Sequence, residues 1–282
     1  MTTDLSTAVV YDIETTVSAF TLHVQGLFND SDMTFEISHY RDDRVSMLAW
    51  FEYWQAHQIL MIGFNVIGFD YPVLHAILSN PEITVEEIYD VSQERINDHT
   101  NFGIIWQNDR FAPQVDLFKI HHFDNRAKTT SLKALQFAMR SESVMEMPIP
   151  FDVPLTAEQV PNVLIPYGKH DVKETKRFAH FSMDAIKFRL QLSETLKGDV
   201  LNFNDSKIGS KILEQRLGSE LCYTWESGRK EPRRTFRDRI ALDEIIFPYI
   251  KFEHPEFNRI LAWMRTQTLS ADELTENIKT KG

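Results

Sequence analysis

The chain is poor in the residues that staple or span. One cysteine, Cys222, among 282 residues cannot form an internal disulfide, and no Cys/His cluster offers a tetrahedral zinc site. No run is apolar for long enough to cross a bilayer, and Met1-Thr-Thr-Asp-Leu-Ser-Thr7 lacks the basic start and apolar core of a signal peptide. Basic residues are in deficit: Lys+Arg 30 against Asp+Glu 41 leaves a net charge of −11. That excludes a protein that coats nucleic acid with a passive cationic surface. It leaves open an enzyme whose carboxylates hold divalent cations that meet the phosphates. What is present, 43% hydrophobic, 25% charged and 12% aromatic residues, is a globular composition with enough apolar material for one large domain or two modest ones.

Hydrophobic periodicity organises the first two thirds. Ala8 to Tyr11 reads as a buried strand that delivers Asp12-Ile13-Glu14 at its end. Phe20 to Leu27 and Met33 to His39 are further strand candidates across the turn-rich Asn29 to Asp32. Val45, Leu48, Phe51 and Trp54 predict a helix over Arg44 to His57, followed by a strand at Ile59 to Phe64 and a short helix at Tyr71 to Leu78. Gln114 to Phe118 reads as a strand, Ser131 to Arg140 as a helix, and the proline-rich stretch from Met147 to Pro154 as extended. One long helix is expected from Tyr167 to Lys197, which has no proline and no glycine after Gly168. Strands first and helices interleaved imply an α/β fold with a mixed sheet flanked by helices. From Gly198 onward the character changes: a polar hinge, a helix candidate at Lys207 to Leu217, a basic run at Arg229 to Arg239, a helix candidate at Pro255 to Thr266 and a hydrophilic tail. The expected organisation is a domain over 1–198 and a mainly helical extension over 199–282.

Three acidic elements carry the chemistry. Asp12 and Glu14 share one face of their strand because side chains alternate with period two. Burying such a pair without a partner is expensive, which favours a site. In Asn65-Val-Ile-Gly-Phe69-Asp70 an acid sits where a strand turns into a helix, the position of an ordinary helix cap as much as of a ligand. In Tyr167-Gly-Lys-His-Asp171 a phenol and a carboxylate project from one helix face about one turn apart. Asp116 is another acid near a strand end and reads as a capping or substrate-side residue.

In that order and those contexts, the three elements resemble the exonuclease motifs of the DEDDy-type 3′–5′ exonucleases, of the DnaQ-like superfamily with a ribonuclease-H-like fold. The resemblance is nearest to the proofreading domain of family B DNA polymerases, especially those of bacteriophages. It spans about residues 5–195, and Ser131-Leu132-Lys133 is similar to a segment between the second and third motifs. It implies that Asp12, Glu14, Asp70 and Asp171 hold two divalent cations, Mg²⁺ or Mn²⁺, and that Tyr167 orients the attacking water. Thr15, Asn65 and Phe69 would bind the substrate's 3′ end. Carboxylates alone suit such hard cations. The implied activity is removal of nucleoside 5′-monophosphates from the 3′ end of single-stranded or frayed DNA, in the cytoplasm or, for a viral protein, in that of the host. An RNA-processing exonuclease of the ribonuclease D type and a silent polymerase-docking module are the alternatives.

The departures matter too. The Asp-Thr-Asp and Ser-Leu-Tyr-Pro elements of a polymerase palm are absent, so a DNA polymerase partner is either a separate protein or a C-terminal continuation. The basic run reads as a solvated loop or as a DNA contact that offsets the acidic surface.

Overall fold

The first strand, β1 (Val9–Thr16), sends Val9, Tyr11 and Ile13 to one side of a sheet and Val10, Asp12 and Glu14 to the other. In the computed structural model, which describes residues 4–98, 103–234 and 237–270, the first row enters a core with Met47, Phe51, Trp54 and Leu74. Val10 enters a second core with Leu60, Ile62, Val172 and Phe178. Both faces of the strand are covered, which is why its start is a continuous apolar run. The acids lie at the end of the row that faces the second core.

Strand β2 (Ala19–Gly26) pairs antiparallel with β1 and with β3 (Asp32–Ser38). Strands β4 (Met61–Gly63) and β5 (Gln114–Asp116) extend the sheet in parallel on the other side of β1. The order is β3-β2-β1-β4-β5. This is the mixed α/β sheet flanked by helices that the sequence predicts. Helix α1 (Arg44–His57) buries Met47, Phe51 and Trp54 and leaves Val45, expected inside, on the surface. Helices α2 (Asp70–Ser79) and α3 (Val85–Asn97) follow, then the short α4 (Leu117–Ile120) and α5 (Leu132–Ala138). A π-helical turn at Val160–Leu164 feeds α6 (Ile165–Phe181), which begins with Pro166 in its first turn.

The long helix expected from Tyr167 to Lys197 is two helices, α6 and α7 (Met183–Leu196). Ser182 breaks it. Its backbone N–H donates to Phe178 O and Ala179 O, and its Oγ is hydrogen-bonded to His121 Nε2 at 2.8 Å. The break lets α7 seat Ile186 in the second core.

The chain divides into two compact units at Gln215/Arg216, within the last turn of α8 (Asp205–Leu217). Residues 199–215, expected with the extension, belong to the first unit: Val200 and Leu201 are buried, and Asn202 bonds both Gln114 O and Asp116 N on β5. The second unit holds α9 (Ser219–Cys222), an antiparallel hairpin of β6 (Tyr223–Glu226) and β7 (Arg229–Pro232), and α10 (Leu242–Ile245) and α11 (Pro255–Arg265). Strand β8 (Arg239–Ala241) pairs with β9 (Thr268–Ser270). The two small sheets accompany the expected helices, and the start of the basic run is strand rather than loop. Thr235 and Phe236 of that run, and the tail over 271–282, lie outside the described residues. Among the described residues no helix is long and apolar enough to cross a membrane.

Candidate active site

Three chain segments meet at the end of β1. The turn between β4 and α2 is built on Asp116, whose carboxylate accepts from the backbone N–H of Asn65 at 2.8 Å and of Ile67 at 3.1 Å. Asn65 adopts φ +62°, a left-handed conformation that asparagine tolerates well. The turn delivers buried Asp70 against β1, where its Oδ1 accepts from the N–H of Ile13 at 3.1 Å. From the other direction α6 lies across β1 and β2. A Cβ on Gly168 would fall 2.3 Å from the His23 ring and 3.1 Å from Glu14 Cγ, so only glycine permits this approach. Its neighbours Tyr167 and Asp171 therefore reach the acids.

Asp12, Glu14 and Asp171 each place a carboxylate oxygen so that all lie within 4.8 Å of one another. Asp70 faces Asp12, and its charge makes Asp12 harder to ionise. The Tyr167 hydroxyl lies beside Asp171, whose charge makes the phenol harder to ionise. All four acids are harder to ionise than usual. Burial is the main cause for each; for Asp12 the charge of Asp70 adds most, and for Glu14 that of Asp171. Asp70 is pushed up to about 7 by burial, against the opposing N–H of Ile13. This mutual repulsion is what a divalent cation relieves, and the donors are all hard oxygens, so the residues fit Mg²⁺ or Mn²⁺.

A cavity of about 490 Å³ opens beside Glu14, with Thr15 and Phe69 in its wall. Of the residues expected at the 3′ end, these two line it and Asn65 does not. Its far wall is Tyr89, Gln93 and Ile96 of α3 with Phe151, a side that motif reading missed. The available signal was Thr84-Val-Glu-Glu87, a capping box that starts α3: Thr84 accepts from Glu87 N–H and Glu87 accepts from Thr84 N–H. Gln136 was missed as well. It is fully buried, donates to Asp171 Oδ1 at 3.3 Å and meets His170 through its own oxygen. Three residues earlier on α5, Lys133 ion-pairs with Glu146 and sets its ammonium 6.0 Å from the Tyr167 ring centre, and its charge eases ionisation of Glu14 and Asp171.

Neither a protein-family model nor a curated protein matches the chain. Among solved structures it is similar to the family B DNA polymerase from the hyperthermophilic archaeon Pyrobaculum calidifontis, with a TM-score of 0.49 and 18% identity over 80% of this chain. The chain spans 31% of that polymerase's length.

Proposed function

We propose that the protein is a metal-dependent 3′–5′ exonuclease acting on single-stranded or frayed DNA. One observation carries this reading: Asp12, Glu14 and Asp171, from distant segments, bring carboxylate oxygens within 4.8 Å of one another, with Asp70 against Asp12, Tyr167 beside Asp171 and a cavity alongside Glu14. Asp12, Glu14, Asp70 and Asp171 would hold two divalent cations, Mg²⁺ or Mn²⁺. When bound, such a pair activates water and stabilises the leaving 3′-oxygen.

The chain's own residues do the rest. Tyr167, beside Asp171, positions the attacking water. Thr15 and Phe69 receive the terminal nucleotide in the cavity, and Asn65 supports the strand from the adjoining turn. Water adds to the phosphorus, and the bond to the 3′-oxygen breaks. A nucleoside 5′-monophosphate departs, and the strand keeps a new 3′-hydroxyl. The motif order supports a proofreading role beside a DNA polymerase, separate or continuous with this chain.

The test is incubation of 5′-labelled single-stranded DNA, and of RNA of the same sequence, with and without Mg²⁺ or Mn²⁺. A ladder of shortened DNA that appears only with metal is the expected result. Preference for the RNA would move the reading to a ribonuclease D-type enzyme, and absence of both ladders would leave a docking module.

A further inference from the structure

Residues 229–239 carry six lysines and arginines against two acids, in a chain of net charge −11. The acidic site makes no use of them. The structure turns the start of this run into the β6–β7 hairpin, with Trp225 opposite Lys230, Tyr223 opposite Pro232, Thr224 opposite Glu231 and Glu226 opposite Arg229. Alternation then assigns faces: Tyr223, Trp225, Lys230 and Pro232 share one, and the more polar pairs share the other. On the first face Lys230 Nζ stands 4.0 Å from the Tyr223 ring centre, and Trp225 is 74% exposed. The other side opens into a depression of about 860 Å³, where exposed Arg229, Arg233 and Arg234 outnumber Glu226 and Glu231. Arg233 also shares a second depression of about 410 Å³ with Trp225, Tyr223 and Glu220.

A two-stranded ribbon is marginal in water on its own, and among the described residues its Trp225 indole stays largely open. A large flat ring that shares one depression with Arg233, in a run where lysines and arginines outnumber acids six to two, complements one chemistry: a strand with phosphates along it and unpaired bases to stack. A duplex would satisfy the arginines but leave Trp225 without a base face, because paired bases are stacked on each other. We propose that the β6–β7 hairpin is a contact for single-stranded nucleic acid, with Trp225 stacking on a base and Arg229, Arg233 and Arg234 meeting phosphates. The contact is independent of hydrolysis, since it needs no metal.

The test uses the full chain and a 5′-fluorescein oligothymidylate of about twenty nucleotides, in EDTA so that nothing is cleaved, read by anisotropy over a range of salt. Trp225→Ala is expected to weaken binding roughly tenfold, while Trp225→Phe, which keeps a ring, retains most of the affinity. The double variant Arg233→Glu/Arg234→Glu is expected to flatten the slope of log K against log salt by about 1.4, two phosphate contacts at ~0.7 each. Wild-type affinity and slope in Trp225→Ala and in the double variant would overturn the proposal and leave the hairpin as a protein-docking element. Failure of the wild-type chain to bind the oligonucleotide would overturn it as well. Cleavage by the same preparations with Mg²⁺ is scored separately. Binding lost in the variants without any wild-type cleavage would sink the exonuclease reading alone, and metal-dependent cleavage with unchanged variant binding would sink the hairpin alone.

Discussion

Asp70 and Ile13 lie 57 residues apart in the chain, yet the Asp70 carboxylate takes the backbone N–H of Ile13 at 3.1 Å. Ile13 is the residue between Asp12 and Glu14, so the bond fastens the second acidic element to the backbone of the first. Asp70 thus has two jobs, charge and anchorage, and substitutions separate them. Asp70→Asn keeps an oxygen for the Ile13 N–H and loses the charge, so it should melt close to wild type and lose activity by ~10²-fold or more. Asp70→Ala loses both and leaves a buried N–H without a partner, which costs about 1–3 kcal/mol of stability as well. Equal melting temperatures for the two variants would show that the bond contributes nothing.

Metal and pH are linked through the same acids. In the folded chain Asp70 titrates at about 7 and Asp116 at about 6, against 3.8 for both when unfolded. Over that window the folded state holds more protons than the unfolded one, so stability without metal falls as pH rises from 3.8 toward 7. A divalent cation binds the ionised acids of the folded state, so its stabilising effect should grow with pH over the same range. Melting in EDTA and in Mn²⁺ between about pH 5 and 8 checks both signs. A Mn²⁺ effect that is absent or independent of pH would remove the metal site.

Gly168 sets the distance between α6 and the sheet. Gly168→Ala would put a methyl 2.3 Å from the ring of His23, which is buried and held by Thr21 and Thr34. The ring cannot swing away, so α6 must shift and carry Tyr167 and Asp171 with it. We expect a loss of about 1–3 kcal/mol from overpacking, and a fall in activity greater than any fall in oligonucleotide binding. Wild-type turnover in Gly168→Ala would show that the site tolerates movement of the helix.

Truncations locate the end of the first unit. A chain ending after Leu217 keeps buried Val200 and Leu201 and the clamp of Asn202 on β5, 2.8 Å to Gln114 O and 2.7 Å from Asp116 N. A chain ending after Gly198 loses all of these, including a group that holds the strand end bearing Asp116. The longer form should melt cooperatively and the shorter one should be unfolded or much less stable by circular dichroism. The reverse order would contradict the boundary at Gln215/Arg216.

What could be read from sequence follows a physical line. Strands β1 to β5 and helices α1, α2, α6, α8 and α11 carry their own periodicity, and the acids fall at strand or helix ends that local pattern can place. Helix α3 has a largely polar surface, so its only strong mark was the capping box at Thr84. The break at Ser182 lies between two good helix-forming stretches and is stabilised by His121, 61 residues away, which no local signal reports. Gln136 is in the same class: buried polarity reveals itself only when its partner Asp171 is in place. The β6–β7 turn was legible in principle, since Ser227-Gly228 suits the two positive φ angles, 51° and 77°, that a tight hairpin needs. The charge of the basic run obscured it.

Substitutions at the acids should rank by what each group does. Asp12 faces both Asp70 and the Glu14–Asp171 pair, so Asp12→Ala disturbs every neighbour at once. Asp171→Ala removes one acid of the cluster and also leaves Gln136 without the acceptor it donates to. A deficit of ~10³-fold, about 4 kcal/mol of barrier, is expected for either, and a similar one for Glu14→Ala. Tyr167→Phe keeps the ring against Lys133 and removes only a positioning hydroxyl. Its deficit should be on the order of 10- to 100-fold, about 1.4 to 2.7 kcal/mol. Asp12→Ala and Glu14→Ala should melt no lower than wild type in EDTA, because taking one carboxylate from a crowded buried group relieves repulsion and desolvation. Asp171→Ala, which leaves buried Gln136 without that acceptor, should melt below them. The measurement is single-turnover cleavage of one oligonucleotide at saturating Mg²⁺, with melting as the folding control. A well-folded Asp12→Ala or Asp171→Ala that cleaves at the wild-type rate would move the active site elsewhere. A Tyr167→Phe defect larger than that of Asp12→Ala would keep the location and reverse the roles.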